Sequence, residues 1–182
     1  MIYIEKIQEV VRQEGLNYGL SVVLLKLGYV GKEYPAAEDL VRDVMTNTKS
    51  KWVCVVGENT TQVGLGTLMK GLNAVGYYTE VECSGLTRDP GWLHLVDRWV
   101  IDYVESPVFN MGALRGSDMV RFTVKDRGDL TFVKEGFEQL RLFTGTRYIK
   151  LIQEEGKRVP ADLQRDILEL LKYHDRARVY VC

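Results

Sequence analysis

The chain has 182 residues, 46% hydrophobic and 27% charged, which suits one domain with a sizeable core, expected to span 1–182, and is short for two. Twenty-four Lys and Arg against 25 Asp and Glu leave a net charge of −1, with no basic run of the kind that marks a nucleic-acid surface. No apolar run approaches the roughly 18–20 residues that cross a bilayer, and three widely spaced cysteines make no disulfide framework.

Glu5, Glu9 and Glu14 make the N-terminal stretch unlike a signal peptide, so a cytoplasmic setting is expected. "SVVLLKLGY" (Ser21 to Tyr29) reads as a buried strand. In "PAAEDLVRDVMTN", Pro35 suits a first helical turn, and Leu40, Val41, Val44 and Met45 share a helical face. "KWVCVV" is a strand; Leu65, Leu68, Met69 and Leu72 then follow at helical spacing, with Gly76 as a stop. "YYTEVEC" is a strand, "DPGWLHLVD" a short helix or turn, and "WVIDYV" a strand. After an irregular stretch from Glu105 to Asp118, "MVRFTV" is a strand, and Val133, Phe137 and Leu140 mark a helix with Gly145 as its stop. "RYIKLI" is a strand, Leu163, Ile167, Leu170 and Leu171 mark a last helix, and "ARVYVC" is a final strand. Arg147, Lys150, Lys157 and Arg158, interleaved with Glu154 and Glu155, read as a solvated surface.

Strand-helix alternation with short links predicts an α/β fold of repeated βα units and a mainly parallel sheet, open or partly barrel-like. Ligands in such folds sit beyond the carboxyl ends of the strands. That directs attention to Gly57-Glu58-Asn59, to Glu82 through Gly85, to Ser106-Pro107, to Asp126 and to Gln153-Glu154. Glu58 and free carbonyls suit an ammonium group, because all are acceptors; a helix cap or a surface ion pair explains Glu58 equally well. Lys26, inside a strand, needs a partner, with Glu14 and Glu58 as candidates. Cys54 reads as a small buried hydrophobe and Cys83 as lying near the ligand face. His94 and His174 have no neighbour at metal-ligand spacing, and no GxSxG, P-loop or HExxH occurs.

In order and spacing, these strand ends resemble the 7-carboxy-7-deazaguanine synthase family, radical S-adenosylmethionine (SAM) enzymes of queuosine biosynthesis. "RQEGLNYGLSVVLLKLGYVG" is similar to the family's opening QGEG stretch with its later glycine, keeping Glu14, Gly15 and Gly19, and Lys26 stands at an arginine position. "VGENTTQ" looks like its GGEP, with Gly57, Glu58 and Gln62 matching and Val56 and Asn59 departing. "ECSG" looks like ETNG through Glu82 and Gly85, and "SPV" like SPK through Ser106 and Pro107. "RYIKLIQEEG" is similar to the late strand, placing Gln153 at a family glutamine.

The resemblance implies a partial TIM-like barrel, a SAM site at Gly57, Glu58, Asn59, Glu82 and Ser106, a substrate site at Glu14, Gly15, Lys26 and Gln153, and a homodimer. It also exposes a departure. The family holds a [4Fe–4S] cluster with CxxxCxxC. Here the first cysteine position falls at Tyr29 or Val30, and Cys54, Cys83 and Cys182 lack the spacing. The expectation is therefore a degenerate homologue with no cluster, no metal and no assigned catalytic residue. It would bind a small molecule (SAM-like, purine-like or pterin-like) or a protein partner. The alternatives are a structural homodimer subunit, or a cluster-independent enzyme using Glu58, Glu82 and Lys26 for acid-base work.

Overall fold

The computed structural model describes residues 2–12, 19–57, 63–84, 91–103, 114–152, 159–174 and 177–181. Nine strands form one sheet: β1 (Ile2–Val11), β2 (Ser21–Leu27), β3 (Lys32–Tyr34), β4 (Trp52–Gly57), β5 (Tyr78–Ser84), β6 (Arg98–Asp102), β7 (Met119–Val124), β8 (Thr146–Leu151) and β9 (Ala177–Val181). Among the described residues four helices accompany them, α1 (Ala37–Asn47), α2 (Val63–Ala74), α3 (Asp129–Gln139) and α4 (Ala161–Leu171), with a 3-10 turn at Leu93–Leu95.

The sheet order is β3-β1-β2-β4-β5-β6-β7-β8-β9. From β2 through β9 every pairing is parallel, and each new strand joins on the same side of the last. Right-handed crossovers that always advance in one direction place their connections on one face of the sheet. The apolar residues obey this. Val53, Val55, Val81, Trp99 and Ile101 pack in one cluster with Leu40, Val44, Leu65, Leu68 and Leu72 of α1 and α2. Val120, Phe122, Ile149 and Leu151 pack in a second with Val133, Phe137, Leu163 and Ile167 of α3 and α4. On the opposite face the described residues form a small apolar cluster, Val100, Met119 and Tyr148.

Two strands were not expected. β1 is antiparallel to both neighbours, pairing Lys6–Val11 with Ser21–Lys26 of β2, and Ile2–Ile4 with the short β3. A register shift between Ile4 and Lys6 reverses which residues face the helices. Smaller expectations change too. Pro35 precedes α1 rather than opening it, and Met45 is about half exposed instead of sharing the buried face. Helix α3 ends at Gln139, well before Gly145. Arg147 is not solvated. It is buried on the helix side, where its guanidinium donates to the carbonyls of Leu140 and Phe143 just beyond α3, the charge complement a helix C-terminus favours.

Candidate functional site

A parallel strand exposes alternate residues on opposite faces. In "TEVEC" this turns Glu80 and Glu82 to the face without helices, while Thr79, Val81 and Cys83 turn toward them. In-register partners share a face, so Cys54 stands beside Glu80, Glu80 beside Arg98, and Asp102 beside Arg121. Arg12 follows β1 with the same parity as Lys6, Gln8 and Val10 and reaches over β2 and β4 to β5.

These side chains make one connected network. Arg12 Nη2 lies 2.6 Å from Glu82 Oε1 and 3.5 Å from Glu80 Oε1. Its Nη1 lies 3.6 Å from the Cys54 sulfur. Arg121 donates from Nη1 to Glu82 Oε2 at 3.0 Å, and grips Asp102 with Nε at 2.6 Å and Nη2 at 3.1 Å. Arg98 Nη1 stands 3.4 Å from Glu80 Oε2, and its guanidinium covers the Trp52 ring. Three arginines face three carboxylates, so the network is charge-balanced. Side-chain exposure rises along the strands, from 4% at Glu80 to 12% at Glu82 and 32% at Asp102. The network therefore opens toward the carboxyl ends, where this fold class binds ligands.

The two neighbouring glutamates are driven apart electrically. Burial pushes the Glu80 carboxyl up, more than Arg12 offsets. Glu82 meets the same desolvation, but Arg12 and Arg121 outweigh it and hold its carboxyl below the usual range. Divergent neighbours of this kind can divide donor and acceptor roles. Burial first, then the charges of Glu82 and Glu80, pushes the Cys54 thiol well up, and its S–H is within reach of Glu80 at 3.5 Å and Glu82 at 3.6 Å. Cys54, Glu80 and Glu82 place one donor atom each within 4.8 Å of one another, a spacing a metal ion accepts. The Arg12 guanidinium already supplies the positive charge there, and an ion would have to displace it.

The sequence-derived residues meet this site unevenly. Glu82 is at its centre. Lys26 is not: near the carboxyl end of β2, level with Val56, its ammonium pairs with Glu5 at 2.7 Å, both about half exposed. Neither expected partner, Glu14 or Glu58, lies among the described residues, and nor do Gly15, Asn59, Ser106 and Gln153. Gly57 has φ +112, and a Cβ there would lie 2.5 Å from the Leu27 carbonyl oxygen. Its smallness thus serves the approach of β2 to β4. Cys54 is buried as expected, though in polar company.

Cys83 is corrected: it packs into the helix-side core with Trp99 and Ile101, not the ligand face. Burial first, then Asp102, pushes its thiol up to about 12. The sheet thus separates the two described thiols, and they do not fit one edge of a cluster held by three thiolates. Tyr29 and Val30 occupy the tight turn from β2 to β3, exposed at 73% and 82%. Sequence reasoning missed Arg12, Glu80, Arg98, Asp102 and Arg121. Charges at period-two positions inside apolar strands, as in "RWVID" and "MVRFTV", were the available signal.

No family model matches the chain, and no curated protein matches it. Among solved structures the chain is similar to the crystal structure of QueE from Escherichia coli, with a TM-score of 0.68. The likeness covers 100% of this chain and 93% of that one at 14% sequence identity. At that identity it is a likeness of fold: an α/β architecture on a mostly parallel nine-stranded sheet. Among the described residues no helix is long and apolar enough to cross a membrane.

Proposed function

We propose that this chain is a single QueE-like domain, its sheet curved as a partial barrel, that binds a small molecule without an iron-sulfur cluster. The ligand lies over the carboxyl ends of β5, β6 and β7, where Glu82, Asp102 and Arg121 converge. One observation carries the reading. The network is polar, charge-balanced and progressively more open toward those strand ends, while the thiols of Cys54 and Cys83 lie on opposite faces of the sheet. Such a site offers a carboxylate for an ammonium or a ring N–H, and a guanidinium for a carboxylate. Among the described residues it offers no group that would pass an electron to a bound sulfonium.

A zwitterionic nucleoside such as SAM, with its ammonium and carboxylate, or a carboxylated pterin-like heterocycle, with its ring N–H groups and carboxylate, presents that pair of groups. Calorimetry with SAM, S-adenosylhomocysteine and a carboxylated pterin tests the binding, with Arg121→Met as the control that loses it. Iron and sulfide analysis after anaerobic reconstitution tests the rest. Four irons per chain, or no heat with any of the three ligands, would overturn the proposal.

A further inference from the structure

Helices α1 and α2 pack closely: a Cβ on Gly71 of α2 would lie 3.0 Å from the Val41 side chain of α1. Helices α3 and α4 meet differently. At their amino ends Arg127, just before α3, reaches α4, with Nε 2.6 Å from Asp166 and Nη1 3.8 Å from Asp162. Near their carboxyl ends the His174 ring stands edge-on to Phe137, with 4.7 Å between ring centres. Between these ties runs a groove of about 1020 Å³, lined from Arg127 to Gln139 on one side and from Asp166 to His174 on the other. The 11 residues of α3 make it about 16 Å long. A groove of that volume along it averages roughly 60 Å² in section, room for one flank of a helix about 10–12 Å across.

Small-molecule sites are mostly apolar with a few placed polar groups. Here six of the ten lining residues are charged, four of them carboxylates: Glu135, Glu138, Asp166 and Glu169. Arg127 is spent on Asp166, and Glu169 takes Lys172 at 2.5 Å. Glu135 and Glu138 are exposed and, among the described residues, form no ion pair. Apolar surface lies at one end, with Leu170, the His174 ring and Tyr173, which is 81% exposed. We propose that the groove docks a basic amphipathic helix of a different protein. An apolar side chain of that helix seats against Leu170, Tyr173 and His174, and its Lys and Arg residues lie along Glu135 and Glu138. A second copy of this chain does not supply that chemistry, because each of its four described helices carries a single Lys or Arg. A nucleic acid or an anionic membrane brings the wrong sign of charge. The groove lies on the helix side of the sheet, and the proposal does not rest on the ligand reading.

Fluorescence anisotropy tests it, with a labelled synthetic peptide of about 18 residues carrying leucines at i, i+3, i+4, i+7 spacing and lysines elsewhere. One peptide binds per chain, and added salt weakens the binding. Glu135→Lys together with Glu138→Lys raises the dissociation constant about tenfold or more. The same reversal at the exposed Glu33 of β3 and Glu38 of α1 changes it less than about twofold. Tyr173→Ser, which removes the apolar seat, raises it about fivefold. All five positions are exposed, and circular dichroism with Tm confirms that each variant stays folded. No binding overturns the proposal, as does a Tyr173→Ser variant that binds like the wild type. An equal effect of the Glu33 and Glu38 reversal, or equal binding by a scrambled peptide of the same composition, also overturns it, since either means general charge attraction. Displacement of the peptide by equimolar spermine overturns it too and makes the groove a polyamine site.

Discussion

Replacing Arg12 by methionine removes the cation that two buried carboxylates and a thiol share while keeping the length of the side chain. Removing one member of a buried ion pair costs roughly 3–5 kcal/mol, because the remaining charge is stranded. Here Glu82 keeps Arg121 at 3.0 Å and Arg12 itself is 12% exposed, while Glu80, 4% exposed, keeps Arg98 at 3.4 Å. The expected loss is therefore at or just below the low end of that range, roughly 2–3 kcal/mol at pH 7. For a chain of this size that lowers Tm by roughly 4–12 °C. The pH dependence distinguishes stranding from lost packing. Glu80 has its folded-state carboxyl raised, so the folded protein holds its proton more tightly than the unfolded chain does, and the penalty for ionising it grows as pH rises past the unfolded value. Without Arg12 that penalty is larger. Lowering the pH favours the protonated form of Glu80 and returns part of the lost stability, so the gap between wild type and variant narrows. Urea unfolding followed by tryptophan fluorescence at pH 7 and pH 5 measures both quantities. A loss under about 1 kcal/mol, the range of exposed ion pairs, or a gap that does not change with pH, would refute the reasoning.

Three further outcomes follow from the packing. Cys54 and Cys83, both buried with raised thiols, stay unmodified by a disulfide reagent at pH 8 in the native protein and react on unfolding. Modification of either in the folded state would contradict the burial. Gly57→Ala strains a backbone at φ +112 and pushes a methyl onto β2, so it lowers the urea midpoint whether or not a ligand is present; destabilisation seen only in ligand binding would restore the binding-loop reading. Phe137→Ala empties a site that meets Phe122 and His174 edge-on and costs about 3–5 kcal/mol, read by thermal or urea unfolding.

Local patterns were readable and distant ones were not. Leu65, Leu68, Met69 and Leu72 are all fully buried because a 3.6-residue repeat against a sheet allows little else. The strands from β4 to β9 announced themselves by short β-branched runs between turn residues. β1 was hidden by its own irregularity. Ile2 and Ile4 alternate on one parity and Ile7 resumes on the other, because the bulge between Ile4 and Lys6 shifts the register. β3, three residues long, has no period to detect. Glu82 was found through a resemblance at a strand end. Its partners were not, because Arg12 lies 70 positions away in the chain and Arg121 lies 39, and only the sheet order brings them together.

The same sheet order constrains what the network can be for. With every described helix on one face, the described cover of the opposite face of β4 to β7 comes from its own side chains and Arg12. A row of lone carboxylates there would carry a heavy desolvation penalty. Alternating Arg12, Glu82, Arg121 and Asp102 turns that liability into a lattice in which Arg12 and Arg121 each bridge neighbouring acidic groups. A lattice so balanced at its buried end, around Glu80 and Cys54, has no charge left to offer a ligand there without losing a partner. At the open end the balance is easier to disturb, since Asp102 is one-third exposed and held by a single arginine. A ligand carboxylate could take Arg121 from Asp102 at small cost, whereas taking Arg12 from Glu82 would strand a buried charge. On the proposed ligand reading, the exposure gradient leaves the inner half of the network to hold the sheet face together and the Arg121–Asp102 end as the part a ligand would meet.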